Sequence, residues 1–208
     1  MTTTAYVAIV NYGMGNLFSV AQACTHAGIP AIITDDARVV RVASGVILPG
    51  VGAFGDAMKS LRAQGLIAAL EEVVASGRPM LGVCLGMQLL MKTSVEFGQH
   101  KGLGFIDGEV VPFQGAIPST EKVPHIGWNT MHRTMVGENS PILAEFQAGS
   151  QMYFVHSFYV EAPESVVAAT TTYGGMTFCS SISSTALLIC GAYFSMIACS
   201  AFLSAASL

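Results

Sequence analysis

Short apolar runs alternate with amphipathic stretches along the first hundred residues. "YVAIV" (6–10), "PAIIT" (30–34), "GVILPG" (45–50) and "PMLGV" (79–83) are β-rich runs bounded by glycine or proline, the signature of buried strands. Between them, "LFSVAQACTHAG" places Leu17, Val20, Ala21 and Cys24 on one helical face, with Gly28 as a helix stop. Residues 56–76 predict one or two helical segments ending at Gly77, and "LGMQLLMKTS" predicts a helix after the fourth strand. Strand, turn and helix recur at steps of roughly 25 residues, which predicts parallel strands joined by helical crossovers in an α/β sheet.

The rhythm changes from about Gly102. "FIDGEVVPF", "HIGWNTMH", "QMYFVHSFYVEA" and "SVVAATTTYGGMTFCSSIS" predict strands and turns with little helix, so antiparallel strands extend the same domain. No linker, repeat or low-complexity tract interrupts the chain before its tail.

A length of 208 residues suits one domain, and 52% apolar residues can fill a substantial core. The net charge of -4 leaves no basic patch for nucleic acid. The start "MTTTAYVAIVNYG" has no charged leader or cleavable apolar segment, and five unevenly spaced cysteines predict neither a disulfide framework nor a zinc site. A reducing, cytoplasmic setting follows from these features. Charge is distributed unevenly: all 22 Asp, Glu, Lys and Arg residues lie at or before Glu164.

The chemistry centres on "GVCLG", where Gly82 and Gly86 flank Cys84 between a predicted strand and a predicted helix. A nucleophile elbow holds its central residue in a strained conformation, and glycines avoid collisions with the neighbouring strand and helix. The strand would deliver the thiol to the carboxyl edge of the sheet, where α/β ligand sites lie. The following helix N-terminus would favour the thiolate, and the Leu85 N–H would face a developing oxyanion.

"GVCLGMQLL" resembles the nucleophile motif of class I, triad-type glutamine amidotransferases. With "NYGMGNLFSV", "LPGVGAFGDAM", "KVPHIGWN" and "YFVHSFY", the chain is similar to the glutaminase-subunit family of imidazole glycerol phosphate synthase over roughly residues 6–184. The resemblance implies a flavodoxin-like mixed sheet with flanking helices, glutamine as substrate, ammonia as product, and no cofactor or metal. It also implies a heterodimer with a (βα)₈-barrel cyclase subunit, in an enzyme of histidine biosynthesis.

By resemblance, Cys84 attacks the glutamine side-chain amide. A peptide near Gly50 and Val51, in "PGVGAFG", offers an oxyanion N–H together with Leu85; an ordinary strand-to-helix turn is the other reading of those glycines. Gln88, one helical turn beyond Cys84, matches a substrate contact, and a solvent-facing glutamine is its alternative. His156 and Ser157 match the segment that binds the amino-acid end of the substrate, through backbone or side chain. Asn11, Gly15, Asn16, Trp128, Asn129 and Tyr153 match the cyclase-facing surface, although Trp128 also suits a core position.

The chain departs from the family after "TFCSSISS". A histidine and a glutamate in a Phe-His-Pro-Glu type stretch should follow; "TALLICGAYFSMIACSAFLSAASL" contains neither, and no proline. The chain therefore divides into an amidotransferase domain over 1–184 and an aberrant apolar tail over 185–208. An out-of-frame translation explains the tail. A membrane span is the competing account, weakened by the absence of Lys or Arg at either end. Three functions remain open: an impaired glutaminase subunit, a non-catalytic subunit that only docks the cyclase, and a cysteine hydrolase or redox protein on a similar sheet.

Overall fold

The computed structural model describes residues 5–144, 146–147, 149–184 and 187–190. Its first half runs β1 (Val7–Val10), α1 (Leu17–His26), β2 (Ala31–Thr34), α2 (Ala37–Val42), β3 (Gly45–Leu48), α3 (Phe54–Ala63), α4 (Ile67–Ala75), β4 (Met80–Val83) and α5 (Leu85–Leu89). Strands β5 (Met91–Ser94), β6 (His100–Lys101), β7 (Ile106–Pro112), β8 (His125–Thr130) and β9 (His132–Arg133) follow, then the short α6 (Met135–Glu138). The last described elements are β10 (Gln151–His156), β11 (Phe158–Glu161), β12 (Val167–Tyr173), β13 (Met176–Ser183) and β14 (Leu187–Cys190).

Among the described residues one mixed sheet takes in all strands except β8 and β10, which form a separate antiparallel pair. Its parallel half is ordered β2-β1-β3-β4, and its far half is largely antiparallel. Strands β1, β3 and β4 are buried along their whole length, because both faces of the sheet are covered. Ala8, Val10, Val46 and Leu48 meet α2 to α5 on one face, while Val7, Ile9, Ile47 and Leu81 meet α1 on the other. Removing one such Val, Leu or Ile side chain from water contributes about 1.5–3 kcal/mol, so burial on both faces holds these short strands at the centre of the fold.

Helix ends follow local chemistry. Asn16 caps α1 by accepting the Ser19 N–H, and Asp36 caps α2 through the Arg38 N–H. Gly28 and Gly77, the predicted stops of α1 and α4, have φ of 72° and 73°, a left-handed conformation that closes a helix without a Cβ clash.

Three local expectations change. The helix predicted across "LGMQLLMKTS" ends at Leu89, and Met91–Ser94 becomes β5. The Leu89, Leu90 and Met91 carbonyls accept N–H groups from Leu103, Ile106 and Gly104, so long-range pairing overrides local helical preference. The six-residue α2 has too little apolar periodicity to announce itself. The run "QMYFVHSFYVEA" divides at Ser157: β10 pairs with β8, and β11 pairs with β7.

The first described residues of the apolar tail enter the sheet. β14 lies between β4 and β13, parallel to β4, with Cys190 in register with Val83. Residues 191–208 lie outside the described residues, and so do the frame-shift and membrane-span readings of them. No helix among the described residues is long and apolar enough to cross a membrane.

Candidate active site

β4 delivers Cys84 to the carboxyl edge of the parallel strands, and α5 begins at the next residue. Cys84 has φ 54° and ψ -117°, a conformation that costs a non-glycine residue about 1–3 kcal/mol and persists only where its surroundings impose it. The flanking glycines show how. A Cβ on Gly86 would overlap the Leu48 carbonyl oxygen at the end of β3. A Cβ on Gly82 would stand 3.0 Å from the Gly86 carbonyl oxygen and from Met87 Cα. The Met87 and Gln88 N–H groups close the turn onto the Cys84 carbonyl at 2.9 and 3.3 Å.

The expectation that the helix N-terminus favours the thiolate does not survive. Burial pushes the Cys84 pKa above its ordinary value, and the Leu85 N–H, which pulls the other way, is the weaker influence. α5 has only five residues, so few aligned peptides act on the sulfur. Tyr12 lies close enough for charge on Cys84 to add to the effect of burial, and both raise the phenol pKa. Its hydroxyl donates to the Pro49 carbonyl at 2.7 Å, under the glycine-rich loop.

A pocket of about 390 Å³ opens at the elbow. It brings together Val51, Cys84, Leu85, Gln88, His156 and Ser157 from three separate stretches of chain. Gly50 stands behind this wall: a Cβ there would meet the Tyr12 hydroxyl and Leu85. Gln88 turns inward and donates from Nε2 to the Phe158 carbonyl at 3.3 Å. One lining residue, Glu96, stands outside the candidates the sequence offers. Glu96 follows β5, its Oε2 accepts the Phe54 N–H at 2.7 Å, and it lines the same pocket as the thiol. A single acid in "TSVEFG" carries no sequence signal of that placement.

His156 lines the pocket, but both ring nitrogens are engaged elsewhere. Nδ1 is 3.0 Å from the Phe158 carbonyl oxygen, and Nε2 is 3.0 Å from His125 Nδ1. Burial lowers its pKa to about 4, with the Phe158 carbonyl opposing and His125 adding to the fall. A ring held in this way is poorly placed to receive a proton from Cys84.

The remaining candidates are divided. Asn11 and Asn16 accept backbone N–H groups of Gly13 and Ser19, so both amides shape the loop after β1. A Cβ on Gly15 would stand 3.6 Å from Gly50 Cα, which seats this loop against the glycine-rich one. Trp128 is 65% exposed and is not a core residue; its ring lies 5.4 Å from that of Tyr153, its cross-strand partner. The neighbouring pair, Ile126 and Val155, is exposed as well, so the β8–β10 hairpin presents an apolar stripe. Asn129 faces the other way, donating to the Thr172 carbonyl at 3.2 Å and meeting His125 at 2.8 Å.

A family model described as "Glutamine amidotransferase class-I" matches residues 8–192. The chain is similar to "Imidazole glycerol phosphate synthase subunit HisH" of Geobacter sulfurreducens, at 46% identity over 181 residues, covering 85% of this chain and 84% of that protein. The protein of the same name from Moorella thermoacetica is 48% identical over 169 residues, covering 81% and 77%. In fold, the chain is similar to a crystal structure of a glutamine amidotransferase, with a TM-score of 0.75 at 17% identity over 98% of this chain and 100% of that one. The glutaminase domain of Trypanosoma brucei CTPS, with bound acivicin, gives a TM-score of 0.68 at 16% identity over 98% and 94%.

Proposed function

The chain belongs to the class-I glutamine amidotransferases and, within them, to the HisH glutaminase subunits of imidazole glycerol phosphate synthase; on that premise we propose a specific chemistry for its pocket. Cys84 is the nucleophile, and the strained elbow between Gly82 and Gly86 is the observation that carries this reading. The sulfur attacks the glutamine side-chain carbon, the C–N bond breaks, and ammonia leaves behind a γ-glutamyl thioester. Water then hydrolyses the thioester to glutamate and the free thiol. The Leu85 N–H and the peptide between Gly50 and Val51 are the candidate donors for the oxyanion. Gln88 and the backbone at His156 and Ser157 hold the amino-acid part, and the Glu96 carboxylate complements its ammonium group.

The thiol lacks a general base in this reading. The family's histidine and glutamate belong after the last strand, and residues 185–208 contain neither. Glutamine hydrolysis is therefore impaired in this chain, while the surface for the partner precedes the altered tail. The partner is the cyclase barrel, docking on Trp128, Tyr153 and the loop at Asn11, Gly15 and Asn16, with Asn129 supporting the hairpin from behind. The cytoplasm is the compartment that suits this pairing. The alternative, a subunit that docks the cyclase without hydrolysing glutamine, is favoured by the same missing base.

Two tests address this reading. Brief iodoacetamide treatment of folded protein, followed by peptide mass spectrometry, labels Cys84 ahead of Cys24, which is fully buried, and ahead of Cys179. Because burial raises the Cys84 pKa, its labelling accelerates as pH rises into the alkaline range. Preferential labelling of Cys24 or Cys179 contradicts the elbow. Trp128→Ala weakens cyclase binding by ~2 kcal/mol, or about 30-fold in Kd, as read by calorimetry. Unchanged affinity removes Trp128 from the interface.

A further inference from the structure

His125 and His156 face each other as a directly opposed cross-strand pair of the β8–β10 hairpin. They lie in a cluster of aromatic rings: Phe154 and Tyr173 stack on His125, and Phe113 meets His156 edge-on at 4.9 Å. Three contacts run through the pair in line. The Phe158 carbonyl oxygen is 3.0 Å from His156 Nδ1, His156 Nε2 is 3.0 Å from His125 Nδ1, and His125 Nε2 is 2.8 Å from Asn129 Oδ1.

Both ends of this line are acceptors. The Phe158 end is a carbonyl. The Asn129 end is fixed as oxygen because the other amide atom must donate to the Thr172 carbonyl at 3.2 Å. Three contacts between two acceptors and two rings require three ring protons. Two neutral imidazoles supply two. Burial disfavours the charged form of both rings, so the third proton is absent near neutral pH.

One contact must therefore go without a proton. Leaving it out between the rings would set two nitrogen lone pairs 3.0 Å apart, so the vacancy moves to an end. Two arrangements remain. With both rings protonated on Nε2, the Asn129 contact is made and the Phe158 carbonyl is left to Gln88, which donates to it at 3.3 Å. With both rings protonated on Nδ1, His156 takes the Phe158 carbonyl and the Asn129 contact is lost. The rings cannot hold opposite tautomers without breaking the central bond or stranding both ends.

We propose that His125 is a positioning residue: it locks its tautomer to that of His156, and so relays the state of Asn129 to the Phe158 carbonyl that holds Gln88. That Gln88 contacts glutamine, and that Asn129 lies in the partner-facing hairpin, rests on the function proposed above; the relay itself rests on the hydrogen-bond geometry. The titratable groups facing the pair are few. The Cys84 and Cys179 thiols share a small void with His156, Glu96 lines the pocket at the elbow, and the Tyr159 and Tyr173 phenols belong to the surrounding cluster. None of these groups lies between the two rings in the line of contacts.

The test is a long-range ¹H–¹⁵N correlation spectrum of histidine-labelled chain at neutral pH, without glutamine or cyclase, so its failure would leave the glutaminase reading standing. His125 and His156 are expected to share one tautomer, or one exchange-averaged mixture. Asn129→Ala removes the outer acceptor and should drive both rings toward Nδ1–H, His156 included. The Gln88 side-chain N–H resonance should then move upfield as His156 claims the Phe158 carbonyl. His125→Phe keeps a ring in the stack and should leave His156 on Nδ1–H whether or not Asn129 is replaced. Opposite tautomers in the unaltered chain, a His156 ring indifferent to Asn129→Ala, or an unmoved Gln88 resonance would each overturn the relay.

Discussion

On the function proposed above, a complex of this chain with the proposed cyclase barrel, supplied with glutamine, turns over at least about 10²-fold more slowly than the same complex supplied with ammonium. Cys84 is half-buried, and desolvation raises its pKa above the ordinary value, so little thiolate exists at neutral pH without a base. His156 is the histidine that lines the pocket among the described residues, and its two ring nitrogens lie against the Phe158 carbonyl oxygen and His125 Nδ1, each at 3.0 Å, which leaves neither aimed at the thiol. The last described residue of β14, Cys190, is level with Val83, one residue short of the elbow, and the sequence beyond reads Gly191, Ala192, Tyr193. No imidazole or carboxylate is encoded where the resemblance requires both.

Expelling ammonia needs a proton donor as well. Loss of a positioned acid–base group costs about 10² to 10⁴ in rate, and up to roughly 10⁶ where residues act as a unit. The ammonium-driven rate belongs to the barrel and should persist. Installing a His-Pro-Glu segment after β14 should raise the glutamine-driven rate alone. A paired assay with the two nitrogen sources reads both outcomes, and near-equal rates in the unaltered chain would reveal a base elsewhere.

The parts legible in the sequence share one property: their signal is local. Four strands of the first half follow from short apolar runs bounded by glycine or proline, and the elbow follows from three residues, Gly82, Cys84 and Gly86. What stayed hidden depends on distant partners. Met91–Ser94 reads as a helix continuation until residues 103–106 claim the carbonyls before it. Glu96 enters the pocket because the backbone of Phe54 holds it, 42 positions away. His125 and His156 become a pair through hairpin register, and their spacing of 31 residues predicts nothing. The thiol pKa departs from the sequence expectation for a related reason. The helix N-terminus is visible in sequence order, whereas the burial that outweighs it is a property of the assembled sheet.

Gly86→Ala should be the most damaging single-methyl substitution at the site. The added Cβ would overlap the Leu48 carbonyl, and that oxygen belongs to the backbone of a fully buried strand that cannot rotate aside. Overpacking a core costs about 1–3 kcal/mol where side chains can adjust; here the main chain must move, so the cost lies at or above ~3 kcal/mol. The elbow is the segment able to yield, since Cys84 already sits in a strained conformation that relaxes when the turn opens. Stability and thiol placement should therefore fail together: a lower urea midpoint, and loss of the preferential alkylation of Cys84. Gly82→Ala supplies the comparison. Its Cβ would approach the Gly86 carbonyl, Met87 Cα and Leu90 Cδ1 at 3.0 Å, a tight but adjustable fit, and its midpoint should fall by less. If Gly86→Ala unfolds at the midpoint of the unaltered chain, the close approach of α5 to β3 is not what holds the thiol in place.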